Sequence, residues 1–212
     1  MGLGHASVRS AVGPERDRLV EAMAVSCAGR GYLETSIEDV CADAGIPRAA
    51  FERHFDGKEE CALAAVEEIL GAALAAVAGA YSPDTSEWES ALQALRALLE
   101  LFASRPALAS LAFIDSRQMM PARALERYKS GFAILTAMLD RLREDSDDGG
   151  LAPAIGARAA IGGGEALVRR EIAAGRADQL PRILPDLVYA ATAPFLGQEE
   201  ALRLARRARE VS

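Results

Sequence analysis

Apolar positions recur at helical spacing along most of the chain, and the interruptions fall on glycine, proline or short polar runs. Leu19, Val20, Met23 and Cys27 form one stripe behind Pro14, a residue well tolerated in the first turn of a helix. Gly31 then predicts a left-handed C-terminal cap, with Tyr32 folding back on the last turn. Thr35 and Ser36 precede Glu38 and Asp39, so either hydroxyl can cap a second helix with an acid three residues on, the capping-box spacing. That short helix turns Ile37, Val40 and Cys41 inward and stops at Gly45, where Ala44-Gly45-Ile46-Pro47 reads as a tight turn. A third helix runs from about Pro47 to His54, and Phe51 and Phe55, four apart, form its buried stripe. Asp56-Gly57 breaks it, and Lys58-Glu59-Glu60 opens a long fourth helix through Leu70 and Leu74 to about Tyr81.

Beyond a connector at 82–86, helical patterns occupy about 86–104, 106–117 and 121–144, with Pro106 and Pro121 marking helix starts. The acidic, glycine-rich stretch 144–150 predicts a solvated, mobile loop. Further helices are expected near 153–175, 182–196 and 198–210, and no internal repeat is evident. Half of the residues are hydrophobic but only 5% are aromatic, and Ala, Leu, Glu and Arg dominate long stretches. These are strong helix formers, so the expected fold is all-α. The division follows: a flexible arm at 1–13, a three-helix head at 14–58, and a helical body at 59–212 joined to the head by the long fourth helix.

The net charge of -7 argues against a chain that coats nucleic acid nonspecifically, because such binding needs many phosphate-neutralising Lys and Arg contacts. It leaves room for a local site. Residues 1–58 hold seven Arg and Lys against nine Asp and Glu, whereas 46–58 hold Arg48, Arg53 and Lys58 against Glu52 and Asp56, a local excess of one positive charge. Cys27, Cys41 and Cys61 are odd in number and widely spaced, and His5 and His54 lie far apart, so neither a disulfide framework nor a metal site is expected. The cysteines read as small core residues. No catalytic residues or cofactor are assigned: metal-ligand spacing, a phosphate loop and a paired nucleophile and base are all missing. Gly162-Gly163-Gly164 lies inside a helical pattern with nothing strand-like before it, which argues against a nucleotide-binding turn. The longest apolar run, Ile69–Tyr81, is short for a membrane span and the N-terminus lacks a secretory pattern, so a soluble, cytoplasmic protein without a membrane partner is expected.

Arg30-Gly31-Tyr32, Thr35-Ser36-Ile37-Glu38-Asp39-Val40, Ala44-Gly45-Ile46, and Phe51-Glu52-Arg53-His54-Phe55 with Lys58-Glu59-Glu60 together resemble the TetR family of regulators, in order and in register over roughly residues 16–66. The resemblance implies a helix-turn-helix whose second helix lies in the major groove of operator DNA. Thr35 and Ser36 would contact phosphate, Arg48 would read guanine, and Ala49 and Ala50 would touch thymine methyls. His54 and Lys58 match backbone-contact positions, Arg53 joins the same surface, and Phe51 and Phe55 match core positions. Read without DNA, Thr35 and Ser36 are ordinary caps and His54 packs beside two phenylalanines. Two departures matter: Glu52 stands where the family has a phosphate-binding tyrosine, and Pro47 where it has a serine or threonine. Glu52 is expected either to turn away or to accept from a cytosine amino group.

The family likeness also implies a homodimer that presents two heads to a palindrome, and a small-molecule effector that releases DNA. The dimer face would use Ile155, Ala159, Gly163, Ala166, Leu167 and Arg170 with Leu184, Leu187, Val188, Ala191 and Phe195. Trp88, Phe102, Phe113, Met119, Met120, Tyr128, Phe132 and Met138, the larger apolar groups of the body, would line a pocket for a hydrophobic ligand. A ligand- or partner-binding dimer of the same kind with weakened DNA binding is the alternative that Glu52 and Pro47 keep open.

Overall fold

The computed structural model describes residues 13–80, 84–116, 133, 136–137, 139–140 and 155–210. The fold is all-α. All but the last residue of the expected arm at 1–13, the bulk of the 121–144 helix and the loop at 144–150 lie outside the described residues.

The head is built from α1 (Pro14–Arg30), α2 (Ile37–Ala44) and α3 (Arg48–His54). Both α2 and α3 pack on α1, which packs in turn on α4 (Lys58–Gly79). Leu19, Met23, Val40 and Phe51 are completely enclosed at the centre of this unit. Each such side chain contributes roughly 1.5–3 kcal/mol by leaving water. Local chemistry sets the boundaries. Ser36 and not Thr35 caps α2: its Oγ accepts from the Asp39 amide at 3.1 Å while the Asp39 carboxylate accepts from the Ser36 amide at 2.9 Å. At the other end Gly45, at φ 62 and ψ 38, reverses the chain, donating to Ala42 O as Ile46 N–H donates to Cys41 O. That pair of bonds is the Schellman arrangement, which glycine adopts without steric cost. Gly31 also has a positive φ of 82, but its ψ of 153 takes it out of the left-handed helical region expected of it, into a conformation open essentially to glycine alone.

The long α4 leaves the head and lies against α5 (Glu87–Ser104). By length and composition α4 is apolar enough to cross a membrane, which a search for uninterrupted apolar runs does not reveal. Glu67 and Glu68 stand near its middle, and Glu68 is paired with Arg105 at 2.6 Å. Its inward face, including Cys61, Ala65 and Ile69, completes the core of the head and of the adjoining body.

Arg105 and Pro106 break the chain after α5, and α6 (Pro106–Ser110) sets off at 106° to it, continuing as a π-helical turn over Leu111–Asp115. This bent segment packs back on α1, so the body touches the head directly. Arg105 bridges Glu21 of α1, at 3.0 Å, and Glu68 of α4. The buried Asp115 carboxylate accepts from the Tyr32 amide at 3.0 Å. Further on, α7 (Ile155–Ala173) packs on α8 (Leu184–Glu210) after a 3-10 segment at Ala177–Ile183. Gly197, at φ 76 and ψ 167, is non-helical and makes α8 two helices meeting at a kink, at the boundary expected between 182–196 and 198–210. Gly156 admits the Phe195 ring, which would lie 2.7 Å from any Cβ placed there.

Candidate functional site

The exposed face of α3 carries Arg48, Ala49, Glu52 and Arg53, at positions i, i+1, i+4 and i+5 of one helical side. Phe51 and Phe55 occupy the opposite side with ring centroids 5.5 Å apart, and the Arg16 guanidinium sits 5.0 Å over the Phe55 ring. Ala50, expected to touch a base, is 3% exposed and belongs to that inner side, because it immediately precedes Phe51 on the surface that meets the core. Thr35 is corrected likewise. It is 2% exposed, and its hydroxyl donates to Gly31 O at 2.9 Å, tightening the turn between α1 and α2. Ser36 remains half-buried at the α2 N-terminus with its hydroxyl engaged in the capping box.

Lys58 does not present a free cation either. Its ammonium donates to Thr35 O at 2.8 Å, to Tyr32 O at 2.9 Å and to Leu33 O at 3.4 Å, and it lies 4.3 Å from the Tyr32 ring centroid. All three ammonium hydrogens therefore have acceptors, and the residue clasps the α1–α2 turn. Arg53 Nη2 pairs with Glu15 at 3.3 Å, and His54 Nε2 approaches the same carboxylate at 3.4 Å. The His54 bond, and then Arg53, holds the Glu15 carboxyl below its usual range. Arg48 Nε donates to Glu52 at 2.9 Å, and its Nη1 pairs with Glu38 of α2. The basic groups expected to attract DNA are thus each engaged within the protein. Glu38, a first-turn acid of α2, and Glu15 of α1 reach Arg48 and Arg53 only through the packing of the three helices, which no local pattern signals. Glu52 is exposed on this face, where its carboxylate accepts from Arg48.

In the body, Trp88 lines a cavity of about 120 Å³ together with Leu92, Leu95 and Leu98 of α5, Leu139, Ile161 of α7, and Val188 and Ala191 of α8. Phe102 and Phe113 do not join it; they meet each other edge to face at 5.1 Å, where α5 bends into α6. Met119, Met120, Tyr128, Phe132 and Met138 lie outside the described residues. The cavity-lining leucines carry a signal that aromatic content does not: Leu92, Leu95 and Leu98 follow Trp88 at helical spacing.

On α7, Ile155 is 70% exposed, and Ala159, Gly162, Gly163, Ala166 and Arg170 continue the same outward stripe, with Leu167 half-buried beside it. Leu184, Leu187, Val188 and Phe195, expected at a dimer face, are buried within their own chain instead. They face α7, α5 and the preceding 3-10 segment, and the outward side of α8 carries Asp186 and Pro194 with Tyr189 and Ala193 partly covered. Glu171, 8% exposed, has two arginine partners, Arg176 at 2.7 Å and Arg170 at 3.0 Å, which keep its carboxyl below the usual range. Among the described residues no group of three or more His, Cys, Asp and Glu is placed to hold a metal ion.

Residues 19–65, which span α1 to the first third of α4, match the model of the bacterial regulatory proteins of the tetR family. The head is a TetR-family head. No curated protein matches the chain by sequence. Solved structures share the fold over nearly the whole length. The fatty acid degradation regulator FadR from Bacillus halodurans superimposes with a TM-score of 0.74 at 14% identity, covering 88% of this chain and 97% of its own. The TetR family protein CprB from S. coelicolor A3(2) gives 0.71 at 20% identity, covering 94% and 100%. A TetR-like transcriptional regulator from Rhodococcus sp. RHA1 gives 0.69 at 23% identity, covering 86% and 96%.

Proposed function

We propose that the protein is a ligand-responsive transcriptional regulator, a repressor that binds a palindromic operator as a homodimer through α3 and is released by a small hydrophobic effector. The observation that carries this reading is the α2–Gly45–α3 unit, a helix-turn-helix with a rigid core and an outward face of Arg48, Ala49, Glu52 and Arg53. Ser36, the N-cap of α2, and His54, the last residue of α3, are the phosphate contacts this reading assigns.

Two features of the body support the remainder. The stripe from Ile155 through Gly162 and Gly163 to Arg170 is outward and small, and a Cβ at either glycine would meet open space, so the chain's own packing does not require glycine there. A second α7 approaching closely would. The cavity beside Trp88 has only apolar side chains in its lining, and its volume of about 120 Å³ is somewhat below the roughly 150 Å³ of a dry cavity that holds benzene. An aliphatic or aromatic portion of a larger ligand is the chemistry that such a lining accepts.

The reading is tested by electrophoretic mobility shift with duplex DNA from the intergenic region beside the gene, repeated over a range of salt. Retarded dimer-sized complexes whose affinity falls steeply with salt are expected, together with relaxed sequence preference in Arg48→Ala. The competing reading, a ligand- or partner-binding dimer that no longer uses DNA, is favoured by one observation: Arg48, Arg53 and Lys58 are all engaged internally. Binding indifferent to both salt and Arg48 would establish it.

A further inference from the structure

The α3 face holds an acid–arginine–acid cluster spanning two helices. Arg48, 53% exposed, lies between Glu38 of α2 and Glu52 one turn along α3, which are 65% and 58% exposed. Nε is bonded to Glu52 and Nη1 to Glu38, so the guanidinium is held by its edge with its remaining N–H groups outward. Two carboxylates around one guanidinium leave the cluster with a net charge of -1, at the place where a DNA-reading helix would first meet the phosphate backbone.

We propose that this cluster is a specificity filter, which withholds Arg48 from phosphates and releases it only at a G·C pair whose guanine accepts from Arg48 and whose cytosine amino group donates to Glu52. The inference rests on the DNA-binding reading above and deepens it. The physical argument is one of replacement. A phosphate approaching Arg48 offers an acceptor to the guanidinium but nothing to the carboxylates, which are left facing a like charge. A guanine edge offers N7 and O6 to the guanidinium, and the neighbouring cytosine N4 amino group is the one major-groove donor of that pair, which a carboxylate can accept from. Both partners of the Arg48–Glu52 bond then exchange one satisfied contact for another. An A·T pair also carries a donor, the adenine N6 amino group, but it gives the guanidinium a single acceptor on either base, N7 or O4, in place of the paired N7 and O6 of guanine, and its thymine methyl sets carbon against a carboxylate. Glu38 acts as a positioning residue: it fixes the guanidinium from the other helix, and its charge adds to the rejection of phosphate. Exposed ion pairs of this sort cost little to open, so the filter does not prevent binding at the right edge.

The test uses the full-length protein and its Glu52→Gln, Glu38→Gln and Arg48→Ala variants with two probes: a pool of duplexes with a randomised core for selection, and a fixed mixed-sequence duplex for fluorescence anisotropy against salt. All three positions are exposed, and unchanged thermal melting establishes that each variant is folded. Wild-type selection should fix guanine and cytosine at one symmetric position of each half-site. Glu52→Gln should lose the preference for cytosine, bind the fixed duplex roughly three- to tenfold more tightly, and show a salt slope steeper by about 0.9, the increment for one further phosphate neutralised. Glu38→Gln should tighten binding to the fixed duplex while keeping the selected pair. Arg48→Ala should lose the guanine and bind the wild-type selected site at least about tenfold more weakly, the discrimination expected of one bidentate base contact. A wild-type motif that Glu52→Gln reproduces, with unchanged salt slope, overturns the filter while leaving the DNA-binding reading intact. Failure of the wild type to enrich any sequence overturns the DNA-binding reading, and the filter with it.

Discussion

Lys58 offers the sharpest separation between a residue that binds DNA and one that builds the head. Replacing it with methionine keeps the aliphatic stem and removes the ammonium, together with its bonds to Thr35 O at 2.8 Å and Tyr32 O at 2.9 Å and its position 4.3 Å from the Tyr32 ring. Hydrogen bonds from a charged donor contribute roughly 1.5–3 kcal/mol each when buried. Lys58 is half-buried, so water recovers part of this for the freed carbonyls, while the ring contact adds about 0.5–1 kcal/mol. A net loss of about 2–3 kcal/mol follows. For a chain of this size that corresponds to a fall in melting temperature of about 5–10 °C. Circular dichroism at 222 nm on the full chain reads the melting, and anisotropy with a duplex reads the salt slope in parallel. The expected result is a large fall in melting temperature and an unchanged salt slope. Melting like that of the wild type, with a slope shallower by about 0.9, would show that the ammonium faces a phosphate and would refute the clasp.

Four further outcomes are expected. Burial pushes the Cys27 thiol up to about 11 and the Cys61 thiol up to about 12, so both should resist a maleimide at neutral pH in the native protein and react fully in denaturant; rapid native labelling of either would show that the head opens. Burial also raises the Asp115 carboxyl above its usual range, against the opposing pull of the Tyr32 amide bond, so the folded state carries a cost that grows as pH rises through the window between its unfolded and folded values and persists above it. Asp115→Asn, which keeps a carbonyl acceptor, should accordingly be the more stable protein at neutral pH in urea unfolding, with the difference closing at acid pH; a less stable variant at neutral pH would mean that the charged hydrogen bond outweighs burial. Finally, Gly156→Ala should destabilise by roughly 1–3 kcal/mol because the Phe195 ring must move, whereas Gly163→Leu should leave the melting of a dilute chain nearly unchanged and weaken self-association in analytical ultracentrifugation; an unaltered association constant would remove α7 from the dimer face.

Within the head the sequence determined nearly everything that depends on neighbours a few residues apart. Pro14, Ser36 with Asp39, Gly45 and the Phe51–Phe55 spacing mark helix starts, a turn and a buried side, because caps, positive φ and helical periodicity act over one or two turns of chain. The same rules could not choose between Thr35 and Ser36, since both satisfy the local pattern; the carbonyl of Gly31 and the closure of the α1–α2 turn made the choice. Tertiary structure alone decided which charges are free. Glu15 reaches Arg53 and His54 from 38 and 39 positions away, Lys58 spans back to Thr35 and Tyr32, and Glu38 crosses from α2 to Arg48. Composition counts such groups as a local excess of positive charge, but a charge's availability depends on its nearest opposite neighbour in space, and Coulomb attraction is indifferent to sequence distance. For the same reason α8 could be recognised as amphipathic from its residues, while only the packing of α7, α5 and the 3-10 segment against it decided that Leu184, Leu187, Val188 and Phe195 face the chain's own interior. Periodicity identifies an apolar side of a helix; which surface covers that side is fixed by the rest of the fold.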